Sequence, residues 1–176
     1  VMKICDIDRS AGTNPRAEVD QSVVREYASA MRLGDVFPPV AAVTNGQVHW
    51  LVDGFHRVAA LELNGHSTVV VVYSCGTLAD AIWESCAANK AHGFHRSNAD
   101  KRRAVERALL AERGARLSDR QIGRYCSVHH DTVGRIRREL AASGGIVKTP
   151  VRDVVRNGTI YRQAIVERVM EGVAVP

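Results

Sequence analysis

The stretch Trp50-Leu51-Val52-Asp53-Gly54-Phe55-His56-Arg57-Val58-Ala59-Ala60-Leu61 decides the fold. It reads as a β-strand that ends in a tight Asp-Gly turn and opens directly into a helix. The first amides of a helix have no partner within it and carry partial positive charge, so they attract phosphate. Gly54 removes the side chain where a ligand would approach the backbone most closely. His56 and Arg57 add nitrogen donors in the first turn. Asp53, Gly54, His56 and Arg57 therefore suit a nucleotide phosphate. They also suit an ordinary Asp-Gly turn with two basic neighbours, because short glycine motifs recur by chance.

Upstream, Asn45-Gly46 is a strong hairpin signal that joins an extended segment over 40–44 to a return strand over 47–52. Residues 1–7 alternate enough for a strand. Asp20 caps a helix whose Val23, Val24, Tyr27 and Met31 share one face and which Gly34 ends. Downstream, a helix over 55–63 stops at Asn64-Gly65. Residues 68–73 form a continuous apolar run, read as one buried strand. Thr77 caps a helix over 78–89. These elements make an α/β unit.

The second half is different in charge. Residues 99–142 carry eleven basic side chains against six acidic ones, an excess equal to the formal net charge of +5 for the whole chain. Such asymmetry points to a polyanionic partner, usually nucleic acid, with a solvated basic helix face as the plain alternative. Ser97-Asn98-Ala99-Asp100 is a capping signature for a helix over 100–112, with Ala104, Val105, Ala108 and Leu109 inward. Ser118-Asp119-Arg120-Gln121 is a capping box for a second helix, with Ile122, Tyr125 and Cys126 at helical spacing. After a break at Ser127-Val128, residues 129–140 read as a third helix with Val133, Ile136 and Leu140 inward.

Two short helices joined by a tight turn, the second one basic, describe a helix-turn-helix. Glycine is more typical than Ser127 at the turn, where positive φ is often needed. On this reading His130, Asp131, Thr132 and Arg135 face base edges, while Lys101, Arg102, Arg103 and Arg120 meet phosphates. An ordinary helical bundle is the alternative. In the tail, Arg156-Asn157-Gly158-Thr159 turns a small hairpin.

The length of 176 residues allows one or two domains, and an apolar fraction of 45% suffices for a core. No apolar run approaches the roughly 20 residues that span a bilayer, and no secretory signal is visible, so a cytoplasmic location is expected. The four cysteines are scattered without a C-x-x-C pair, which argues for reduced thiols and against a disulfide framework or zinc site.

The order Pro38-Pro39-Val40, Asp53-Gly54-Phe55-His56-Arg57-Val58-Ala59-Ala60, Asn89-Lys90-Ala91-His92-Gly93-Phe94-His95-Arg96 and then a helix-turn-helix resembles the ParB N-terminal-like family. These partition-protein relatives share an α/β core with sulfiredoxin. Asn98-Ala99-Asp100-Lys101-Arg102-Arg103-Ala104-Val105 is similar to a short ParB-like branch and to regulators of streptomycin-type biosynthetic clusters. The resemblance spans about residues 1–142. It implies that Gly54, His56 and Arg57 match a first phosphate grip, and that Asn89 and Arg96, with His92 between them, belong to a second. Phe55, His56 and Ala59 stand where the family has Glu, Arg and Arg, which argues against triphosphate hydrolysis and against a cytidine preference. Gly54-x-His56-Arg57 is similar instead to the Gly-Cys-His-Arg box of sulfiredoxin, which binds ATP. Phe55 takes the catalytic Cys position there, so sulfinic-acid reduction is not available. Some relatives are nucleases, but no paired carboxylates for Mg²⁺ accompany the isolated Asp53.

The expectation is an α/β ParB/sulfiredoxin-like domain over 1–96, an all-α helix-turn-helix DNA-binding domain over 97–142 and a tail over 143–176. The chain reads as a ParB-like DNA-binding protein, in transcriptional regulation or in plasmid, phage or chromosome partition. Double-stranded DNA and a second copy of the chain are the expected partners, with no membrane. The expected cofactor is a nucleoside triphosphate, CTP or ATP, with Mg²⁺, and no resident metal. The rivals are a nucleotide-dependent enzyme (a triphosphatase, kinase or nuclease) working in the Asp53-to-Arg57 pocket, and a scaffold whose α/β domain only dimerises.

Overall fold

The computed structural model describes residues 1–16, 18–87, 96–146, 151–156 and 159–164. In chain order its elements are β1 (Met2–Lys3), β2 (Ile7–Asp8), α1 (Gln21–Arg32), β3 (Val40–Thr44), β4 (His49–Asp53), α2 (Phe55–Leu63), β5 (Thr68–Val69), β6 (Val71–Cys75), α3 (Leu78–Ala87), α4 (Asn98–Leu110), α5 (Glu112–Ala115), α6 (Asp119–Cys126), α7 (His130–Ala142), β7 (Val151–Arg156) and β8 (Thr159–Ala164). The main sheet has the order β2-β4-β3-β6, with β2 parallel to β4, β4 antiparallel to β3 and β3 parallel to β6.

β4 is buried at Trp50, Leu51 and Val52 because both faces of the sheet are covered. Alternate residues of a strand point to opposite faces. Leu51 packs with Ile7, Val40, Phe55 and Val58 on the α2 side, while Trp50 and Val52 pack with Val43 and Ala81 on the α3 side. α1 covers α2 through Val24, Ala28 and Ala60. A further cluster joins Trp83 and Cys86 of α3 to Val105, Ala108 and Leu109 of α4, Ile122 and Cys126 of α6, and Val133 and Ile136 of α7. α3 thus packs on the sheet and also on the helical half. Each large apolar side chain so buried contributes about 1.5–3 kcal/mol.

Both expected capping boxes are present. Ser97 Oγ accepts from the Asp100 amide and Ser118 Oγ from the Gln121 amide, with the reciprocal bonds also made. His129 lies outside α7 as its cap residue. Ser127 takes the left-handed conformation at φ 56°, alone among the described non-glycine residues.

Three expectations are corrected. The strand expected over 1–7 is broken by a 3₁₀ turn at Ile4–Asp6, so β1 pairs with β5 and β2 with β4. The return strand begins at His49 because the Asn45 side chain accepts from the Gln47 and Val48 amides and holds them in the turn. The run over 68–73 is not one buried strand, and Val69 alone of its residues is buried. It divides into β5 and β6, and β6 is an edge strand with Val72 and Tyr73 exposed. A continuous apolar run does not by itself say how deep a strand lies.

α3 is described to Ala87, so the last two residues of the helix expected over 78–89 lie outside the described residues. β7 and β8 form the expected hairpin with Arg156 opposite Thr159, its turn residues Asn157 and Gly158 lying outside the described residues. No helix among the described residues is long and apolar enough to cross a membrane. Cys5 and Cys75 are exposed thiols, and Cys86 and Cys126 are buried ones. Burial pushes the Cys86 thiol up to about 11.

Candidate functional site

The turn between β4 and α2 rests on Gly54, whose φ of 100° lies in the left-handed region. A Cβ at Gly54 would sit 2.5 Å from Val40 Cγ1, so the neighbour that excludes a side chain there is β3. The glycine serves the strand packing as well as the turn. Among the described residues, the amides of Phe55, His56 and Arg57 donate to no protein acceptor, as expected for the first turn of a helix. These amides fit an anion.

The two guanidiniums expected to join them are engaged elsewhere. Arg57 Nη2 donates to Asp53 Oδ2 at 2.8 Å, and Nη1 donates to the carbonyls of Pro38 and Pro39, the latter at 2.6 Å. Asp53 and Arg57 thus tie the end of β4 to the Pro-Pro segment that leads into β3. Arg96 donates to the Cys86 carbonyl at 3.0 Å and the Cys126 carbonyl at 3.2 Å, joining the C-terminal ends of α3 and α6. Burial lowers its basicity. Asn89 and His92 lie outside the described residues.

His56 is buried and takes a role that the sequence did not suggest. Its Nε2 accepts the Asp20 backbone N–H at 3.1 Å, just before α1 begins. Burial holds its pKa below the ordinary 6.5, helped by the Arg16 charge and opposed by Asp20 and Asp100. The imidazole is therefore neutral at neutral pH and links α2 to the cap of α1. Because the folded pKa is depressed, His56 contributes stability that is complete above 6.5 and declines as pH falls from there toward the folded value. Unfolding monitored between pH 7.5 and about pH 5 should show this loss, and His56→Gln should flatten it.

Arg16 and Asp100, neither read as site residues, lie 3.7 Å apart and are both largely buried. Arg103 donates to the Arg16 carbonyl at 3.2 Å, and Arg107 to the Asn14 carbonyl at 2.5 Å. α4 thereby clamps the segment 14–16 of the α/β half. Arg103, expected on phosphate, is turned toward this clamp. Only the capping signature hinted at Asp100, and nothing in the local pattern singled out Arg16.

The remaining basic residues converge beside the α6–α7 turn. Lys101 and Arg102 of α4, with Thr132 and Arg135 of α7, line one cleft of about 660 Å³. Arg120, Arg124 and His130 line a neighbouring cleft of about 460 Å³, and Ser127, Val128 and His129 border both. Arg102 pairs with Glu106 and Glu139, each at 2.7 Å, and Arg135 pairs with Glu139 at 3.0 Å. Lys101, Arg120 and Arg124 make no ion pair among the described residues. His129, His130 and Asp131 bring ligand atoms within 4.8 Å of one another at the start of α7. A cation there would be opposed by the positive end of the helix.

These features place the chain among known structures. It matches C-terminally truncated ParB from Caulobacter crescentus, complexed to the centromeric parS site, at a TM-score of 0.50, with 13% identity over 83% of this chain and 79% of that one. The fold is ParB-like. The same ParB complexed with CTP-γ-S matches at a TM-score of 0.41, with 16% identity over 79% of this chain and 76% of that one. Sulfiredoxin from Arabidopsis thaliana matches at 0.38, with 22% identity over 43% of this chain and 83% of that one. In sequence, the chain is 30% identical over 102 residues to the "Streptomycin biosynthesis operon possible regulatory protein" of Streptomyces griseus. That match covers 58% of this chain and 28% of the relative. No family model matches the chain.

Proposed function

We propose that this chain is a ParB-like DNA-binding protein in which α6 and α7 form the reading helix-turn-helix. The observation that carries this reading is the convergence of Lys101, Arg102, Thr132 and Arg135 on one cleft beside the α6–α7 turn. On this reading residues 1–96 are the α/β module, 97–142 the DNA module and 143–176 a tail. Because one such unit reads only a few base pairs, the protein acts as a homodimer on paired half-sites. The regulatory role carried in the name of the Streptomyces griseus relative favours transcriptional control over partition.

Arg135 is the base reader. Its pair with Glu139 is exposed to solvent and weak, so it yields readily to a bidentate guanine contact worth about 1–3 kcal/mol of discrimination. Lys101 contacts phosphate. Fluorescence anisotropy on selected and random duplexes across a salt series separates the two. Arg135→Ala should relax preference at one position, while Lys101→Ala should weaken all sequences alike and lower the salt slope by about one. An Arg135→Ala variant with unchanged affinity and preference contradicts this assignment.

The α/β module offers the N-terminus of α2 to a nucleotide phosphate. The unpartnered amides of Phe55 to Arg57 support this, and Arg57 contributes by holding the turn in shape. Calorimetric titration with the four ribonucleoside triphosphates tests it. Absence of heat with all four removes the nucleotide and leaves the DNA reading intact.

A further inference from the structure

β6 lies at one edge of the main sheet, beside β3 and with no strand on its other side among the described residues. An open edge offers a row of unpaired N–H and C=O groups, and proteins usually guard it with charge, proline, a bulge or a very short strand. The opposite edge is guarded in this way, since β2 has two residues and ends on Asp8. In the hairpin, β8 carries Arg162. β6 has no such guard. It is five residues long and pairs with β3 without a bulge. Residues 67–79 contain neither a charged side chain nor a proline. Val72 is 63% exposed and Tyr73 59%, so the strand is open to solvent on both of its faces.

The edge is also complementary to itself. In the parallel pairing of β3 with β6, the Val40 amide donates to the Val70 carbonyl at 3.0 Å, and the Gly76 amide donates to the Thr44 carbonyl at 2.9 Å. Main-chain groups of successive residues face opposite sides of a strand, so between these two bonds Val72 and Ser74 serve β3. Val71, Tyr73 and Cys75 turn their N–H and C=O groups outward, evenly spaced about Tyr73. A second β6, laid antiparallel on a two-fold axis at Tyr73, meets each of these groups with its complement. Tyr73 exchanges both bonds with the partner's Tyr73, and Val71 does so with the partner's Cys75. Val72 comes opposite the partner's Ser74. The two strands bring no charge against charge, which favours this surface for self-association in a chain of net charge +5.

We propose that two copies of this chain join through β6, antiparallel about Tyr73, into one continuous sheet. The inference rests on the homodimer of the DNA-binding reading and names its interface. A single strand pair is small beside stable interfaces, so the dissociation constant should be on the order of 1–100 μM. Sedimentation velocity of the full chain without DNA, over a concentration series that spans this range, tests it. The Tyr73 N–H faces outward, so Tyr73→Pro costs the β3 ladder no hydrogen bond and removes a donor from each half of the interface. Tyr73→Lys sets like charges directly opposite each other. Each variant should weaken the dimer at least about tenfold, while Tyr161→Lys, at an exposed position on β8, should leave it unchanged. Circular dichroism establishes that each variant is folded. Tyr73→Lys changes an exposed side chain, so it carries the test even where the proline disturbs the strand. A wild-type monomer throughout the series overturns the homodimer and this interface together. A wild-type dimer that is indifferent to Tyr73→Lys, or that is lost in Tyr161→Lys instead, overturns the interface and leaves the homodimer standing.

Discussion

Gly54→Ala is expected to destabilise the protein by about 2–5 kcal/mol. The left-handed backbone at φ 100° costs an L-residue about 1–2 kcal/mol. The added Cβ then meets Val40 Cγ1 at 2.5 Å in the core beneath α2, and overpacking of this kind costs about 1–3 kcal/mol. Urea unfolding followed by circular dichroism gives the number. The two contributions are separable. Val40→Ala removes the Cγ1 clash, so the double variant should lose clearly less than the sum of the single variants, leaving the backbone cost and the close approach of the residue-40 Cβ, at 2.9 Å, in place. A Gly54→Ala variant within about 0.5 kcal/mol of wild type would mean that the turn is built differently.

Arg57→Ala should cost about 2–4 kcal/mol without any ligand present. The guanidinium is 12% exposed and its Asp53 partner 26% exposed, so removing it leaves a half-buried carboxylate without its donor. The Pro38 and Pro39 carbonyls lose their donor at the same time. Breaking a fully buried pair costs about 3–5 kcal/mol, and the residual exposure of Asp53 reduces this. Arg57→Lys should recover only part of the loss, because an ammonium cannot reproduce the planar fork that reaches three acceptors. A change below about 1 kcal/mol would show that the guanidinium points outward, where a ligand would use it.

The folds of α2, α4, α6 and α7 were legible because each announces itself twice, by a cap or turn residue and by a helical apolar period. Ser97, Ser118 and Gly54 mark starts, and Val105, Leu109, Ile122, Val133 and Ile136 are the buried faces. The edge position of β6 was not legible, since Val71 to Tyr73 read the same whether covered or not. Of the site, residue types were legible and their partners were not. Arg57 and Arg96 look like phosphate ligands in a local motif. Their carbonyl partners come from 10 to 30 residues away and from other elements. Arg103 illustrates the same limit, since it sits in a basic run beside Lys101 and Arg102 but faces the Arg16 carbonyl. On α7 the inward apolar set fixed the outward one, so Thr132 and Arg135 were placed correctly relative to the core.

The central claim is that the α6–α7 unit and the start of α4 form one DNA-binding face. Anisotropy of wild-type protein on a labelled duplex, from low to physiological salt, tests it most directly. With Lys101, Arg102 and Arg120 on phosphate, the logarithm of the binding constant should fall against the logarithm of salt concentration with a slope of about −3 per protomer. Binding that is absent at low salt, or that shows no salt dependence, would contradict the account.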